Sequence, residues 1–212
     1  GVGGYALDPA RPGEAWLVSE LWPADVQAAL DRSQRPQAER ERAPDAAEGR
    51  LSMPAAETFG QWAVAQAYAE ATDSTPTAVT AVGDCDSAAA ALNAAASGRP
   101  QMRQLLRGAR ALCTQWLGVS IPREFNLDAD RLSHPALIEE VRRDARVAGV
   151  ETHVVPIPPG CWAVLRAAIA AEASTRHDAR KRTAVSLHSS GADHGSTDPD
   201  RRQRRVVGGR LV

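Results

Sequence analysis

The run Thr77-Ala-Val-Thr-Ala-Val82 constrains the fold more than any other stretch of this chain. It alternates, is rich in β-branched residues and stops abruptly at Gly83-Asp84, which predicts a strand. The segment that follows, Ser87 to Ala96, is Ala-rich and predicts a helix closed by Ser97-Gly98-Arg99-Pro100. A strand that ends on an acid and turns into a helix is an α/β junction. In open α/β sheets, side chains at the carboxyl ends of strands converge on ligands, and Asp84 stands at such an end.

The flanking segments fill in the class. Val2 to Leu7 and Ala15 to Val18 are short apolar stretches on either side of the turn-forming Asp8–Gly13, a β-hairpin pattern. Pro23, at the first helical position, opens a helix to about Leu30. Residues 32–50 are charged and nearly free of large apolar side chains, which predicts an exposed loop. Ser52 to Ala71 reads as a helix with Ser52 or Met53 at its cap. Residues 101–117 read as the clearest amphipathic helix: Met102, Leu105, Leu106, Ala109, Leu112, Cys113, Trp116 and Leu117 follow helical spacing, and Arg103, Arg107 and Arg110 lie opposite. Val119 to Ile121 is a short strand, Pro135 to Ala148 a helix, Val150 to Val155 a strand and Cys161 to Ala171 a last short helix. This order predicts an α/β class with a mixed sheet flanked by helices. One domain is expected over residues 1–171. From Ser174 on the chain holds nine basic and four acidic residues and few large apolar ones, so 172–212 is expected to be a disordered basic tail.

With 25 basic and 26 acidic residues the chain is not coated in positive charge, although a local basic patch remains open. Nearly all its positive charge is arginine, Lys181 being the only lysine; the planar guanidinium fork suits phosphate. Arg99, Arg103, Arg107 and Arg110 could track a nucleic-acid backbone or form a solvated helix face. The tail runs Arg180-Lys-Arg182 and Arg201-Arg-Gln-Arg-Arg205 could be nuclear-targeting or nonspecific nucleic-acid contacts, or simply solvated. Cys85, Cys113 and Cys161 are widely spaced, without a C-x-x-C pair, which argues against a zinc knuckle and predicts reduced thiols in an intracellular protein of cytoplasm or nucleus. No stretch approaches the roughly 20 apolar residues of a membrane span, and no signal peptide is visible. The five tryptophans are expected in core or hairpin packing.

Three acids stand out by position. Glu57 lies in the first turns of an otherwise uncharged helix, Asp84 ends a strand, and Asp130 lies near the start of a short helix after a strand. Brought together, they would offer hard oxygen ligands to two Mg²⁺ ions, which can activate a water and stabilise the leaving oxygen of a phosphodiester. Each also has a plain structural reading. Asp84 or Asp86 would cap the following helix, and Glu57 would favour a helix N-terminus through its dipole.

The order of these segments resembles a known family. Ile121-Pro122-Arg123-Glu124-Phe125-Asn126-Leu127-Asp128-Ala129-Asp130-Arg131-Leu132-Ser133-His134 is similar to the closing Asn-x-x-Ala-Asp-x-Leu-Ser-Arg motif of the ribonuclease H domain of retroelements. In that family the motif follows an Ile-Pro-Gly-like turn. Gly83-Asp84-Cys85-Asp86-Ser87 through Leu92-Asn93 resembles its Asp-Asn-x-Ala-Ala-x-Ala-Leu-Asn junction. Leu51-Ser-Met-Pro-Ala-Ala-Glu57 resembles its Ile-Asn-x-x-Glu-Leu helix, and Gly1-Val-Gly-Gly-Tyr-Ala-Leu7 the rest of its first hairpin. The likeness is to domains that follow a reverse transcriptase, especially in tyrosine-recombinase retrotransposons. It covers residues 1–133, and more weakly 134–171.

The resemblance implies a ribonuclease H-like sheet and an endonuclease that cuts the RNA of RNA–DNA hybrids with two Mg²⁺ ions. The partner it implies is a reverse transcriptase domain of the same polyprotein. Glu57, Asp84 and Asp130 would be the catalytic, metal-binding carboxylates, with Asp86 a rival to Asp84. Asn126, which is also an ordinary turn asparagine, would fix the turn before Asp130, and Arg99 and Arg103 would contact nucleic acid. The departures count too. The family's first catalytic acid belongs on a strand ahead of the Gly-Val-Gly-Gly run, so cleavage by this chain alone is expected to fail or nearly fail. His134 replaces an arginine, and no histidine precedes Asp130 in its loop. A catalytically inactive nucleic-acid-binding or connecting module is the alternative, and an element remnant without function a third.

Overall fold

The computed structural model describes residues 1–43 and 48–190. The chain divides into two units, Gly1–Thr175 and Arg176 onward, and the first holds every element discussed below apart from the end of the last helix. It is mixed α/β. The hairpin forms as expected: β1 (Val2–Leu7) pairs antiparallel with β2 (Glu14–Glu20), Val2 opposite Glu20 and Leu7 opposite Ala15. β5 (Glu151–Val154) lies parallel on the other edge of β2, giving a sheet ordered β1-β2-β5. β3 (Ala78–Gly83) and β4 (Gln115–Ser120) form a separate parallel pair. The strands thus divide into two sheets instead of the single one expected.

Helix α3 (Met53–Thr72) supports both sheets. Its small residues Ala55, Ala56, Ala63 and Ala67 are buried, so strands approach it closely, and Phe59 and Trp62 fill the space beside it. Trp22, Phe59 and Trp162 pack ring to ring, and Trp62 meets Phe59 edge-on, as expected of core tryptophans. α5 (Pro100–Leu112) adds Met102, Leu105 and Leu106 to this core, and α8 (Pro159–Ser190) adds Cys161, Leu165 and Ala168. The other face of the hairpin carries a second, smaller core. There Ala15 and Leu17 of β2 meet Leu132 of α6 (Leu127–Leu132) and Val141 of α7 (Ile138–Val147). Both faces of β2 are therefore covered, which explains its nearly continuous apolar run.

Several sequence expectations are corrected. The 32–50 stretch is not simply an exposed loop: α1 (Ala24–Gln34), with Pro23 at its cap, runs beyond Leu30, and Gln37–Arg42 forms α2. The arginines of this stretch fold back on the backbone, Arg32 Nε donating to the Gly49 carbonyl at 2.9 Å and the buried Arg50 to that of Arg40 at 2.8 Å. The helix expected over 101–117 stops at Leu112, where Cys113 turns extended, and Trp116 and Leu117 lie in β4. Trp116 mimics the helical stripe because its indole N–H donates to the Ala109 and Cys113 carbonyls at the helix end. Cys113 sits buried in that turn, not on a helix face. The last helix is long: α8 continues to Ser190, past the expected boundary at 172, and residues 191–212 lie outside the described residues.

Candidate functional site: a slot lined by three carboxylates

One large cavity, of about 1530 Å³, is lined by β1, β3, α3 and the segment from Ile121 to Ser133. The acids nominated from the sequence line it together, and the charges of Asp84 and Asp130 reach Glu57. Glu57 comes from the first turns of α3, Asp84 from the residue after β3, and Asp130 from α6; all three line the cavity, as does Asn126. Arg99 and Arg103 do not line it. Both are exposed on or beside α5, and Arg103 donates to the Gly98 carbonyl at 2.9 Å.

Local structure explains why the acids face this space. α4 (Asp86–Ala94) takes Cys85 as its cap, without a side-chain cap bond, so Asp84 stands outside the helix and is not its capping residue. Asp86 belongs to the first turn of α4 and is exposed away from the cavity lining. At the far end of α4, Asn93 clamps the helix to β4. Its amide donates to the Gly118 carbonyl at 2.9 Å and accepts from the Gly118 N–H at 2.8 Å. Ser52 caps α3 in position only. Its hydroxyl and its N–H donate to the buried Gln101 side-chain oxygen at 2.7 and 3.0 Å, fixing the first turn that carries Glu57.

The electrostatics couple the three acids. Burial pushes the Glu57 carboxyl above its ordinary value, the charge of Asp84 pushes it further, Arg123 opposes, and Asp130 adds a smaller push upward. A carboxylate raised by burial and by like charges is one that a cation would relieve. Arg123, which the sequence reading did not single out, lies 3.4 Å from Asp130. Its signal was present: it occupies the position of the glycine in the Ile-Pro-Gly-like turn. Gln61 was also missed. It lies on the slot floor, and both its side-chain N and O are buried without a hydrogen-bond partner among the described residues.

The donor chemistry suits Mg²⁺, but the spacing does not close on an ion. Among the described residues no group of three or more His, Cys, Asp or Glu is arranged to hold a metal. Nor is any described helix long and apolar enough to cross a membrane. The chain matches no family model, no curated protein and no solved structure.

Proposed function

We propose that this chain is a ribonuclease H-like domain of a retroelement polyprotein, acting on RNA–DNA hybrids beside a reverse transcriptase domain. Glu57, Asp84 and Asp130 are its cation-facing catalytic carboxylates. The observation that carries the reading is that these acids, from three separate elements, line a single cavity close enough for the charges of Asp84 and Asp130 to act on Glu57. The antiparallel hairpin, the helix behind it and the parallel pair β3–β4 agree with the order of segments that the resemblance implies. Two Mg²⁺ ions are the cofactor of this reading, and the carboxylates as spaced here need a further ligand to close on them. Hybrid binding is therefore assigned to the chain as described. Cleavage belongs to the site with that ligand added.

Arg123 favours a second reading. Its guanidinium already partners Asp130, as suits a catalytically inactive module that binds nucleic acid or connects domains. Fluorescence anisotropy with one sequence as hybrid, duplex DNA and duplex RNA, in Mg²⁺ and in EDTA, separates the two. The first reading predicts preference for the hybrid with a metal-dependent component that Asp130→Asn removes. The second predicts salt-dependent binding unchanged by EDTA. Equal affinity for hybrid and duplex DNA contradicts both.

A further inference from the structure

Arg99, Arg103, Arg107 and Arg110 are a group that the slot does not use. In a chain with 26 acids among 212 residues, positions 87–123 hold no Asp or Glu, yet five arginines fall there. Four of them form one exposed row beside and along α5. At 1.5 Å of rise per residue the row spans roughly 16 Å. The other side of the helix is anchored. Met102, Leu105, Leu106 and Ala109 are buried, and Gly108 lies against the Trp62 ring of α3, where a methyl would stand 2.7 Å away. Other arginines of this chain meet acids: Arg32 on Glu48, Arg131 on Asp144, Arg142 on Glu139 and Arg166 on Asp25. No ion pair reaches the α5 row among the described residues. Arg103 and Arg107 turn only to the Gly98 carbonyl and the Gln104 side-chain oxygen. A row of guanidiniums without acids is complementary to a chain of phosphates.

Arg110, the last of the row, also lines a second cavity, of about 470 Å³, beside the apolar Leu92, Leu106, Ala109 and Trp116. That volume lies within the roughly 300–1,000 Å³ of small-molecule sites. We propose that the α5 face and this cavity bind single-stranded nucleic acid, the phosphates following the arginines and one unpaired base entering beside Trp116. The combination of a positively charged track with an aromatic at its end is what an unpaired strand uses. A duplex keeps its bases stacked and paired, so it can use the arginines but not the cavity. The Asn93 amide in the wall is already committed to both backbone groups of Gly118, and the Trp116 indole N–H to the Ala109 and Cys113 carbonyls. Neither is left to read a base edge, so the site takes any base by stacking. It lies apart from the acids: neither Arg110 nor Trp116 lines the slot.

This inference rests on surface charge and a cavity, not on the catalytic reading, and EDTA throughout its test keeps any metal-dependent binding at the slot out of the result. Labelled oligothymidylate and oligoadenylate of about 12 nucleotides and a duplex of equal length are titrated with the full chain, by anisotropy over a salt series. The expected result is binding of both single strands with similar Kd, tenfold or more tighter than the duplex. The double variant Arg103→Ala, Arg107→Ala changes only exposed side chains. It should weaken binding by tenfold or more and flatten the salt slope by about 1.4, two phosphate contacts at about 0.7 each. Oligothymidylate should also quench tryptophan fluorescence in the parent, and that quenching should vanish in Trp116→Phe, whose ring still stacks and whose binding persists. Duplex bound as tightly as single strand overturns the proposal, since it would reduce the row to backbone attraction. So does an unchanged Kd in the arginine variant, or quenching that survives Trp116→Phe.

Discussion

Gly3 lies directly against the Leu132–Ser133 peptide: a methyl built on residue 3 would stand 2.0 Å from the Leu132 carbonyl carbon and the Ser133 nitrogen. The run that ends in Asp130-Arg-Leu-Ser133 is therefore clamped to β1 by backbone contact. The Ser19 hydroxyl donates to the same Leu132 carbonyl. Because the obstacle is backbone, Gly3→Ala cannot be absorbed by a rotamer change. It is expected to cost about 1–3 kcal/mol or more, read as a lower urea midpoint at unchanged slope.

Within that run, packing and chemistry fall on different residues. Leu132 is fully buried in the smaller core, and Leu132→Ala is expected to cost about 2–5 kcal/mol. Asp130 is half exposed and pairs with a still more exposed Arg123. Exposed pairs contribute about 0–1 kcal/mol, so Asp130→Asn should leave the urea midpoint nearly unchanged. A loss for Asp130→Asn comparable with that for Leu132→Ala would make the acid structural and remove it from the site.

Glu57 gives a pH signature. Its carboxyl is raised, so the folded state holds its proton more tightly than the unfolded state does. The stability linked to that proton is fully present below the ordinary value of 4.5 and is lost as pH rises through the folded value. Glu57→Gln, which cannot ionise, should therefore be more stable than the parent at pH 7. That advantage should shrink as pH falls toward 4 in paired urea titrations. An advantage independent of pH would mean that charge at Glu57 is not strained.

Gln101 is expected to be the buried polar residue least tolerant of change. Its side chain accepts from Ser52 and donates to the Arg50 carbonyl at 2.6 Å. Gln101→Leu leaves those groups unpaired in the interior, at a cost of about 1–3 kcal/mol. Thermal melts should show that loss, while Arg103→Ala, on the exposed face of the same helix, should not.

The hairpin, α3, β3 and the carboxylates were legible in the sequence because each rests on local signals: alternation, alanine runs, and an acid at a strand end. The end of α5 was not. Trp116 keeps helical spacing and even bonds the helix terminus, so periodicity alone carried the helix five residues too far. The 32–50 stretch was hidden for another reason. Its order depends on arginines reaching backbone carbonyls, and charge composition reads the same whether such arginines face water or the chain. The gap between the sheets could not be read at all, since nothing in β1 or β3 records which neighbour an edge has. Arg123 was visible as the residue replacing a glycine, but its contact with Asp130 arises only once the turn is folded.

RNA-strand cleavage of a labelled RNA–DNA hybrid in Mg²⁺, by the chain extended at Gly1 with a designed strand that carries one acid, tests the central claim most directly. The reading predicts that the RNA strand is cut, that its DNA partner and duplex DNA are left intact, and that Asp130→Asn and Glu57→Gln abolish cutting while both proteins stay folded. An uncut hybrid, or cleavage that survives Asp130→Asn, would contradict it.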